Sequence, residues 1–323
     1  MATPSLQRIE AVHGHDDTLD ITVAICTRNR AASLLLTLES LARQEWDGAW
    51  EVLVIDNAST DDTADAARAA AEQFPVPLRV VTESTAGVSY ARNRALAEAR
   101  GQVLIYADDD VTCHPGWVAA HAAAFADPTW SGTGGRILPV LPDDAPAWLH
   151  ELAATDLGGP TARYDLGPTQ FELDRFPEQP PPFTANAGVR TEAARDIGGF
   201  RTDLGDRSKL ISSEDVEFFA RLAERGHRLL YVPDAAVDHR IDAARTTDDY
   251  YLRWQRGHGR SIAVLYGPHG RLDHVRHVIR YARRLVRGEL AVRRARRSGG
   301  GELMTARRDR ERALGALLQL IGR

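Results

Sequence analysis

Three consecutive carboxylates, Asp108, Asp109 and Asp110, follow a short apolar run at residues 102–107 of this 323-residue chain. Such a run is typical of a buried strand, so the carboxylates are predicted to lie at its carboxyl end. Open α/β sheets bind ligands in the crevice beyond that end. Carboxylate oxygens suit Mg²⁺ or Mn²⁺, which proteins share with substrate phosphates. The pattern predicts a metal–diphosphate site, and a solvated acidic turn is the alternative.

The segments that must position these carboxylates alternate between strand and helix patterns. Apolar strands are predicted at 21–26, 51–55, 78–82 and 102–107. Their alternation with helices predicts an α/β fold with a doubly wound, mostly parallel sheet and flanking helices. The turn after the first strand lacks the Gly-x-Gly-x-x-Gly sequence of dinucleotide-binding sites. A diphosphate would therefore need another anchor, which a metal on the Asp triplet would supply.

Composition limits the classes of protein that need consideration. The chain is 43% hydrophobic, has no apolar run long enough to span a bilayer, and shows no signal-peptide pattern near its start. Its two cysteines have no metal-binding or redox spacing. We therefore expect a cytoplasmic protein, or one attached peripherally to the inner face of a membrane. Nucleic acid is not an expected partner, because the body of the chain is acidic and aromatic residues do not interleave with its arginines.

Charge is distributed unevenly along the chain. Residues 271–323 contain 15 arginines against 5 acidic residues, although the whole chain has a net charge of −5. Apolar residues in this tail recur at helical spacing, which predicts a basic amphipathic helical extension over 246–323. The two predicted roles of its segment 271–323 are packing, within the chain or in a homodimer, and peripheral contact with a membrane.

A series of short motifs resembles glycosyltransferase family 2 with the GT-A fold. The order and spacing of the motifs agree with that family from about residue 20 to residue 240. The matching segments are 23–30, 54–61, 87–93, 106–110, 186–188, 198–200, Glu214-Asp215 with Arg221-Leu222, Gly226 and His239. The resemblance implies an inverting, hexosyltransferase-type enzyme that uses a nucleotide-sugar donor, with a UDP- or TDP-sugar expected.

The resemblance also implies catalytic and metal-binding roles. Asp215, with Glu214 beside it, is the expected general base that takes a proton from the acceptor hydroxyl. Asp110, Asp108 and His239 are the expected ligands of a divalent Mn²⁺ or Mg²⁺, with Asp110 as the direct ligand. As alternatives, the acidic pair only favours the first turn of a helix, and the histidine is structural.

Other residues are candidates for binding the two substrates. The nucleotide-binding set is Thr27, Arg28, Asn29, Arg30, Asp56, Asn57, Arg92, Asp108 and Asp109, and the donor- or acceptor-binding set is Asn186, Ala187, Gly188 and Trp148. The resemblance implies that Asp56 accepts a hydrogen bond from a pyrimidine base, whereas a helix cap or Asx-turn is the alternative. For Arg92 the alternative is a surface helix arginine, and for Trp148 it is simple core packing.

The predicted organisation is a loose leader at 1–18, a catalytic domain at 19–245 and the helical extension at 246–323. The catalytic domain divides into a nucleotide-binding half, 19–115, and an acceptor-binding half, 116–245. The acceptor hydroxyl stays open among glycan, lipid carrier, natural product and polypeptide. Two other functions compete: a non-catalytic sugar-nucleotide-binding or scaffolding protein, and a sugar-nucleotide pyrophosphorylase. The pyrophosphorylase would need a Gly-rich basic loop after the first strand, and this chain contains a single lysine, Lys209.

Overall fold

The structure, a computed structural model, describes residues 20–176, 178–205, 212–297 and 300–322. The predicted leader at 1–18 and Lys209 lie outside these ranges. One central sheet flanked by helices makes up most of the described chain, as the sequence predicts.

The first half of the sheet is parallel. Its elements are β1 (Ile21–Thr27), α1 (Ala31–Leu41), β2 (Trp50–Asn57), α2 (Thr63–Ala71), β3 (Leu78–Glu83), α3 (Val88–Glu98) and β4 (Val103–Asp108). The strands lie in the order β3-β2-β1-β4, and each neighbouring pair is parallel. Thr27 lies beside Asp56, and Cys26 lies beside Asp108. The polar residues that follow these strands therefore meet at one edge of the sheet.

The second half of the sheet is mixed. Its elements are β5 (Val111–Cys113), α4 (Trp117–Phe125), β6 (Trp130–Val140), α5 (Ala147–Thr155), β7 (Phe171–Glu172), β8 (Asn186–Arg190), α6 (Thr191–Asp196), α7 (Glu214–Glu224) and β9 (Arg228–Arg240). The strand order continues β4-β8-β6-β9-β5, and β7 pairs with β9.

The mostly parallel arrangement predicted for the sheet is found only in the first half. Strand β8 runs antiparallel to both β4 and β6, and β5 and β7 run antiparallel to β9. A parallel neighbour requires a crossover of a dozen or more residues. Only Asp109 and Asp110 separate β4 from β5, so the chain reverses there and β5 pairs with β9.

Three helices follow the sheet: α8 (Asp248–Leu265), α9 (Arg271–Ala295) and α10 (Gly300–Leu320). Helix α10 packs against α8, α9 and α5. These helices bury small apolar clusters of their own, one around Tyr251 and Met304 and another around Tyr281 and Ala316. None of the helices in the described ranges is long and apolar enough to cross a membrane.

Candidate active site

The side chain of Asp109 is buried and contacts residues at and just after the end of β1. It accepts a hydrogen bond from Thr27 Oγ1 at 2.7 Å and lies 3.2 Å from the guanidinium of Arg30. Burial raises the pKa of the Asp109 carboxyl to about 6, although Arg30 opposes the shift. The side chains of Thr27 and Asp109 thus bind each other, and this contact fixes the turn between β4 and β5.

Asp110 lies at the centre of a cluster of cations. Its carboxylate is 3.1 Å from Arg30, 3.2 Å from Arg245 and 3.2 Å from His239 Nε2. Burial would raise the pKa of Asp110, but the contact with His239 and the charges of His239, Arg245 and Arg30 outweigh it and lower the pKa. The Asp110 side chain is therefore held as a carboxylate.

His239 is fixed in one orientation by the backbone. Its Nδ1 lies 2.8 Å from the carbonyl oxygen of Thr161, and because a carbonyl only accepts, Nδ1 must carry the proton. Nε2 is then directed at Asp110. Burial would lower the pKa of His239, but the contact with Asp110 and its charge raise it. A backbone carbonyl that orients the second ring nitrogen is the usual support of a metal-binding histidine.

Two side chains whose chemistry suits a divalent ion, Asp110 and His239, come together here. Asp110 Oδ1 is buried and accepts no hydrogen bond from the described residues, and His239 Nε2 lies 3.2 Å away. Ligands at adjacent positions of an octahedral ion are about 3 Å apart. Across the described ranges, however, no three His, Cys, Asp or Glu side chains form a complete metal-binding group. The residues present fit an ion that takes its remaining ligands from phosphate and water.

Asp108 lies near a different arginine, Arg92. Arg92 Nη2 lies 3.8 Å from Asp108, and Nη1 donates to Glu214 at 2.5 Å. Burial would lower the pKa of Arg92, but the charges of Glu214 and Asp108 raise it by more than burial lowers it, so the guanidinium stays charged. Arg92 is thus a buried bridge between the Asp triplet and α7, and not the surface helix arginine of the alternative interpretation. The predicted trio of metal ligands is only partly assembled, because Asp108 pairs with Arg92.

Asp215 lies in the first turn of α7 and is half-buried. Its carboxylate oxygens accept from the backbone N–H of Val216 at 2.8 Å and of Thr184 at 3.4 Å. Burial and then the charge of Glu214 raise its pKa to about 6, against the effect of Arg92. The residue before the pair, Ser213, has a left-handed backbone with φ of 71°, a conformation that is uncommon outside glycine and is concentrated at functional sites.

At the carboxyl ends of β1 and β2, one carboxylate oxygen has no hydrogen-bond partner among the described residues, and other polar side chains connect loops. Asp56 is 4% exposed, and its Oδ1 has no hydrogen-bond partner in the described chain. Asp56 does not cap α2, since Asp62 occupies the cap position. Asn57 binds the carbonyls of Glu83 and Thr85, so its side chain holds the loop before α3.

Asn29 and Arg28, also predicted to bind nucleotide, lie at the surface. Asn29 accepts from the backbone of Thr60 at 2.7 Å and thereby joins the turns after β1 and β2. Arg28 is exposed. Among Arg28, Asn29 and Arg30, it is Arg30 that contacts the Asp triplet, at both Asp109 and Asp110.

Comparison with known proteins places this arrangement in a family. Residues 22–198, more than half of the chain, match the model of glycosyl transferase family 2. The chain belongs to this family. The pre-mycofactocin glycosyltransferase of Mycobacterium tuberculosis is 30% identical over 226 residues, which cover 68% of this chain and 42% of that protein. The chain therefore spans less than half the length of this family member.

Solved structures share the fold of this family-2 chain. The mannosyltransferase PcManGT of Pyrobaculum calidifontis, in complex with GDP-Man and Mn²⁺, has a TM-score of 0.60 and 20% identity. The match covers 94% of this chain and 87% of that one. S. aureus TarS 1-349, in complex with UDP-GlcNAc, has a TM-score of 0.54 and 20% identity, with 76% and 67% covered. The predicted GT-A fold is confirmed.

The family-2 segment 186–188, predicted to bind donor or acceptor, lies in the interior of the protein. Asn186 is 0% exposed and uses its whole amide inside the protein: Oδ1 accepts from Trp117, and Nδ2 donates to the carbonyls of Arg136 and Ala235. Ala187 is also buried. A Cβ on Gly188 would lie 2.6 Å from the Thr133 hydroxyl and 2.8 Å from Phe125. These residues are small or polar where β8 packs tightly between other elements, and a close approach of donor or acceptor to this segment stays a prediction.

Trp148 is placed with the C-terminal helices. Its ring centroid lies 5.0 Å from that of Tyr251, beside Leu152 and Met304. The core-packing alternative for Trp148 is thus the one observed. Its aromatic surface joins α5 to α8 and α10.

Sequence reasoning missed three groups of this site. Arg245 pairs with Asp110, the Thr161 carbonyl orients His239, and the Thr184 N–H donates to Asp215. A backbone group leaves no signal in residue type. Arg245 lies in a short turn after β9, where an arginine is indistinguishable by pattern from the many surface arginines of the tail.

Proposed function

We propose that this family-2 chain transfers a sugar from a nucleotide-sugar donor to a hydroxyl acceptor by direct, inverting displacement. The observation that carries this proposal is that the pKa values of two carboxylates, those of Asp110 and Asp215, are shifted in opposite directions. Asp110 is held ionised among cations, whereas burial raises the pKa of Asp215 to about 6. The first suits a divalent ion and the second suits a general base.

The donor nucleotide is expected at the edge where β1, β2 and β4 end. Asp56 has a buried carboxylate oxygen without a hydrogen-bond partner in the described residues, beside Thr27. The N3–H of uracil or thymine would satisfy that oxygen, which supports a UDP- or TDP-sugar. Arg30 lies between Asp109 and Asp110, and it supplies positive charge near the position expected for the diphosphate.

A divalent ion, Mn²⁺ or Mg²⁺, would be held by Asp110 and His239 together with oxygens of the donor. When bound, it would neutralise negative charge on the leaving diphosphate. Support for an ion comes from the free Oδ1 of Asp110 and from the backbone that orients His239. Arg245 also contacts Asp110, so it would help to balance the charge of the triplet.

Asp215 is the proposed base, and Glu214 is a positioning residue. Glu214 is bound tightly to Arg92, whereas the hydrogen bonds that Asp215 accepts from the described residues come from backbone N–H groups. In the reaction, the acceptor oxygen forms a bond to the anomeric carbon and gives its proton to Asp215. The bond between that carbon and the diphosphate oxygen breaks, and the nucleoside diphosphate leaves with the bonding electrons.

Substitution of the base tests this proposal. Asp215→Asn preserves size and accepts no proton, so transfer should fall by about 10²- to 10⁴-fold while donor affinity is kept. Release of nucleoside diphosphate from a panel of UDP- and TDP-sugars, with water or simple sugars as acceptor, measures it. Glu224→Gln, an exposed acid at the end of the same helix, is the matched control and should be neutral.

Two outcomes would count against the proposal. If Asp215→Asn keeps nearly full turnover, Asp215 is not the base. If the wild-type chain binds UDP with Mn²⁺ but never releases it from any UDP-sugar, the non-catalytic binding function is favoured instead.

A further inference from the structure

The outward face of α9 carries a continuous apolar stripe. Five large apolar side chains on this helix are between 45% and 81% exposed: Leu272, Val275, Ile279, Val286 and Leu290. Exposed apolar residues scattered singly need no explanation, but an aligned set on one helix does. We refer to these five residues as the α9 stripe.

The α9 stripe points away from the rest of the protein. At 100° per residue, its five positions fall within about 60° of the helix circumference and extend over about 27 Å of helix. The buried residues of α9, Tyr281, Gly288 and Val292, fall on the opposite side of the same helical wheel. Packing against α10 uses that inner face and leaves the stripe outside.

Positive charge flanks the stripe. Helix α9 contains eight arginines and two acids, and five of the exposed arginines are Arg271, Arg276, Arg280, Arg283 and Arg287. Both acids are half-buried and already paired: Asp273 lies 3.3 Å from His277, and Glu289 lies 3.4 Å from Arg310. The exposed surface of the helix therefore combines apolar and cationic groups.

We propose that α9 binds the surface of an anionic lipid bilayer, with the stripe in the acyl boundary and the arginines at the lipid headgroups. An apolar face beside arginines is the pattern of a helix that lies in the interface plane, and acidic lipids complement its charge. A second copy of this chain fits less well, because pairing two α9 helices through their stripes would bring arginine-rich flanks together. This role is separate from the proposed chemistry at Asp110 and Asp215.

Co-sedimentation with vesicles tests the proposal. The 323-residue chain should bind vesicles that contain phosphatidylglycerol and should not bind vesicles of phosphatidylcholine alone, and binding should weaken as salt is raised. Leu272→Ser, Ile279→Ser and Val286→Ser in combination should reduce the partition coefficient at least tenfold. Arg276→Gln, Arg280→Gln and Arg283→Gln together should weaken binding about a hundredfold, since each arginine near the surface is worth roughly a factor of five.

Matched controls lie on α1 and just after it, far along the chain from the stripe. Leu36→Ser removes an apolar side chain that is 51% exposed, and Arg43→Gln removes an exposed arginine; both should bind vesicles like the wild type. Unchanged melting temperatures would show that the α9 variants are folded. The proposal is overturned if the wild type ignores anionic vesicles or if the serine variant binds as well as the wild type. It is also overturned if the stripe substitutions dissociate a dimer that does not bind vesicles.

Discussion

Asp110 and Asp215 show how neighbouring groups shift the pKa values of two carboxylates in opposite directions. Asp110 meets His239, Arg245 and Arg30, and its pKa falls. Asp215 meets backbone N–H groups and the negative Glu214, and its pKa rises to about 6. Under the proposed function, the same residue type would hold a cation at one position and accept a proton at the other, because burial dominates the pKa only where countercharges are few.

The raised pKa of Asp215 predicts the acid limb of the pH–rate profile. A general base works only when deprotonated, so kcat/KM should be half-maximal near pH 6, approach its maximum about one unit higher and fall tenfold per unit at lower pH. An unperturbed aspartate would place this limb near about 4. Initial rates of nucleoside diphosphate release across this range measure it, and a profile that stays flat down to about pH 4 would contradict the assignment.

The residue types of the site could be read from the sequence, but their partners could not. The strand-end position of the Asp triplet follows from an apolar run that stops at Ala107, and the helix start at Glu214 follows from the pattern after it. Which aspartate faces His239 depends on a reversal of the chain between β4 and β5. That reversal is set by strand β9, which lies more than a hundred residues further along the chain.

Among the elements, β8 is linked to three others by one buried side chain, in addition to its backbone pairing with β4 and β6. Asn186 joins it to Trp117 on α4, to the Arg136 carbonyl on β6 and to the Ala235 carbonyl on β9. Without the amide, several buried polar groups would lose their partners, and each such loss costs about 1–3 kcal/mol.

Asn186→Ala should therefore lower the free energy of unfolding by roughly 3 kcal/mol or more. Urea denaturation followed by fluorescence measures the change. If Asn186→Ala instead unfolds like the wild type and raises only the KM for donor or acceptor, the side chain contacts substrate after all.

The contact between α8 and α10 depends on two glycines. A Cβ on Gly315 would lie 1.9 Å from the backbone oxygen of Arg256, and a Cβ on Gly259 would lie 2.1 Å from that of Arg312. The two helix backbones touch at these points, so no side chain can be accommodated without separating the helices.

Gly315→Ala should destabilise the protein by about 1–3 kcal/mol, because overpacking outweighs the gain in helix propensity of about 1 kcal/mol. Thermal unfolding measures it. Gly116→Ala, where a Cβ would meet nothing within 4 Å, is the control and should have little effect. A stabilised Gly315→Ala variant would contradict this close contact between α8 and α10.

Periodicity predicted the strands and helices of the first half of the sheet, because each element there packs its own apolar face. The second half was harder to predict. Strand β7 has only Phe171 and Glu172, and helix α5 lies inside a segment rich in proline, glycine and acids. Such short elements take their conformation from neighbours, here β9 for β7 and α10 for α5, and not from local pattern.

At the scale of the whole molecule, one site joins both halves of the sheet to the C-terminal helices. Asp110 comes from the turn after β4, His239 from β9 and Arg245 from the turn that precedes α8. Helix α8 also contacts the turn whose Thr161 carbonyl orients His239. If α9 lies on a membrane, these contacts would hold the proposed active site near the membrane surface.

The most direct test of the central claim is a thermal-shift comparison of the wild type and Asp110→Ala with UDP- and TDP-sugars, each with and without Mn²⁺. At a donor concentration of 100 Kd, ligand binding adds about 2.7 kcal/mol of stability, enough to move Tm visibly. We predict a rise for the wild type that requires Mn²⁺, no such rise for Asp110→Ala, and a normal rise for Asp65→Ala, an exposed acid on α2. A rise that is independent of Mn²⁺, or one that Asp110→Ala preserves, would contradict the account.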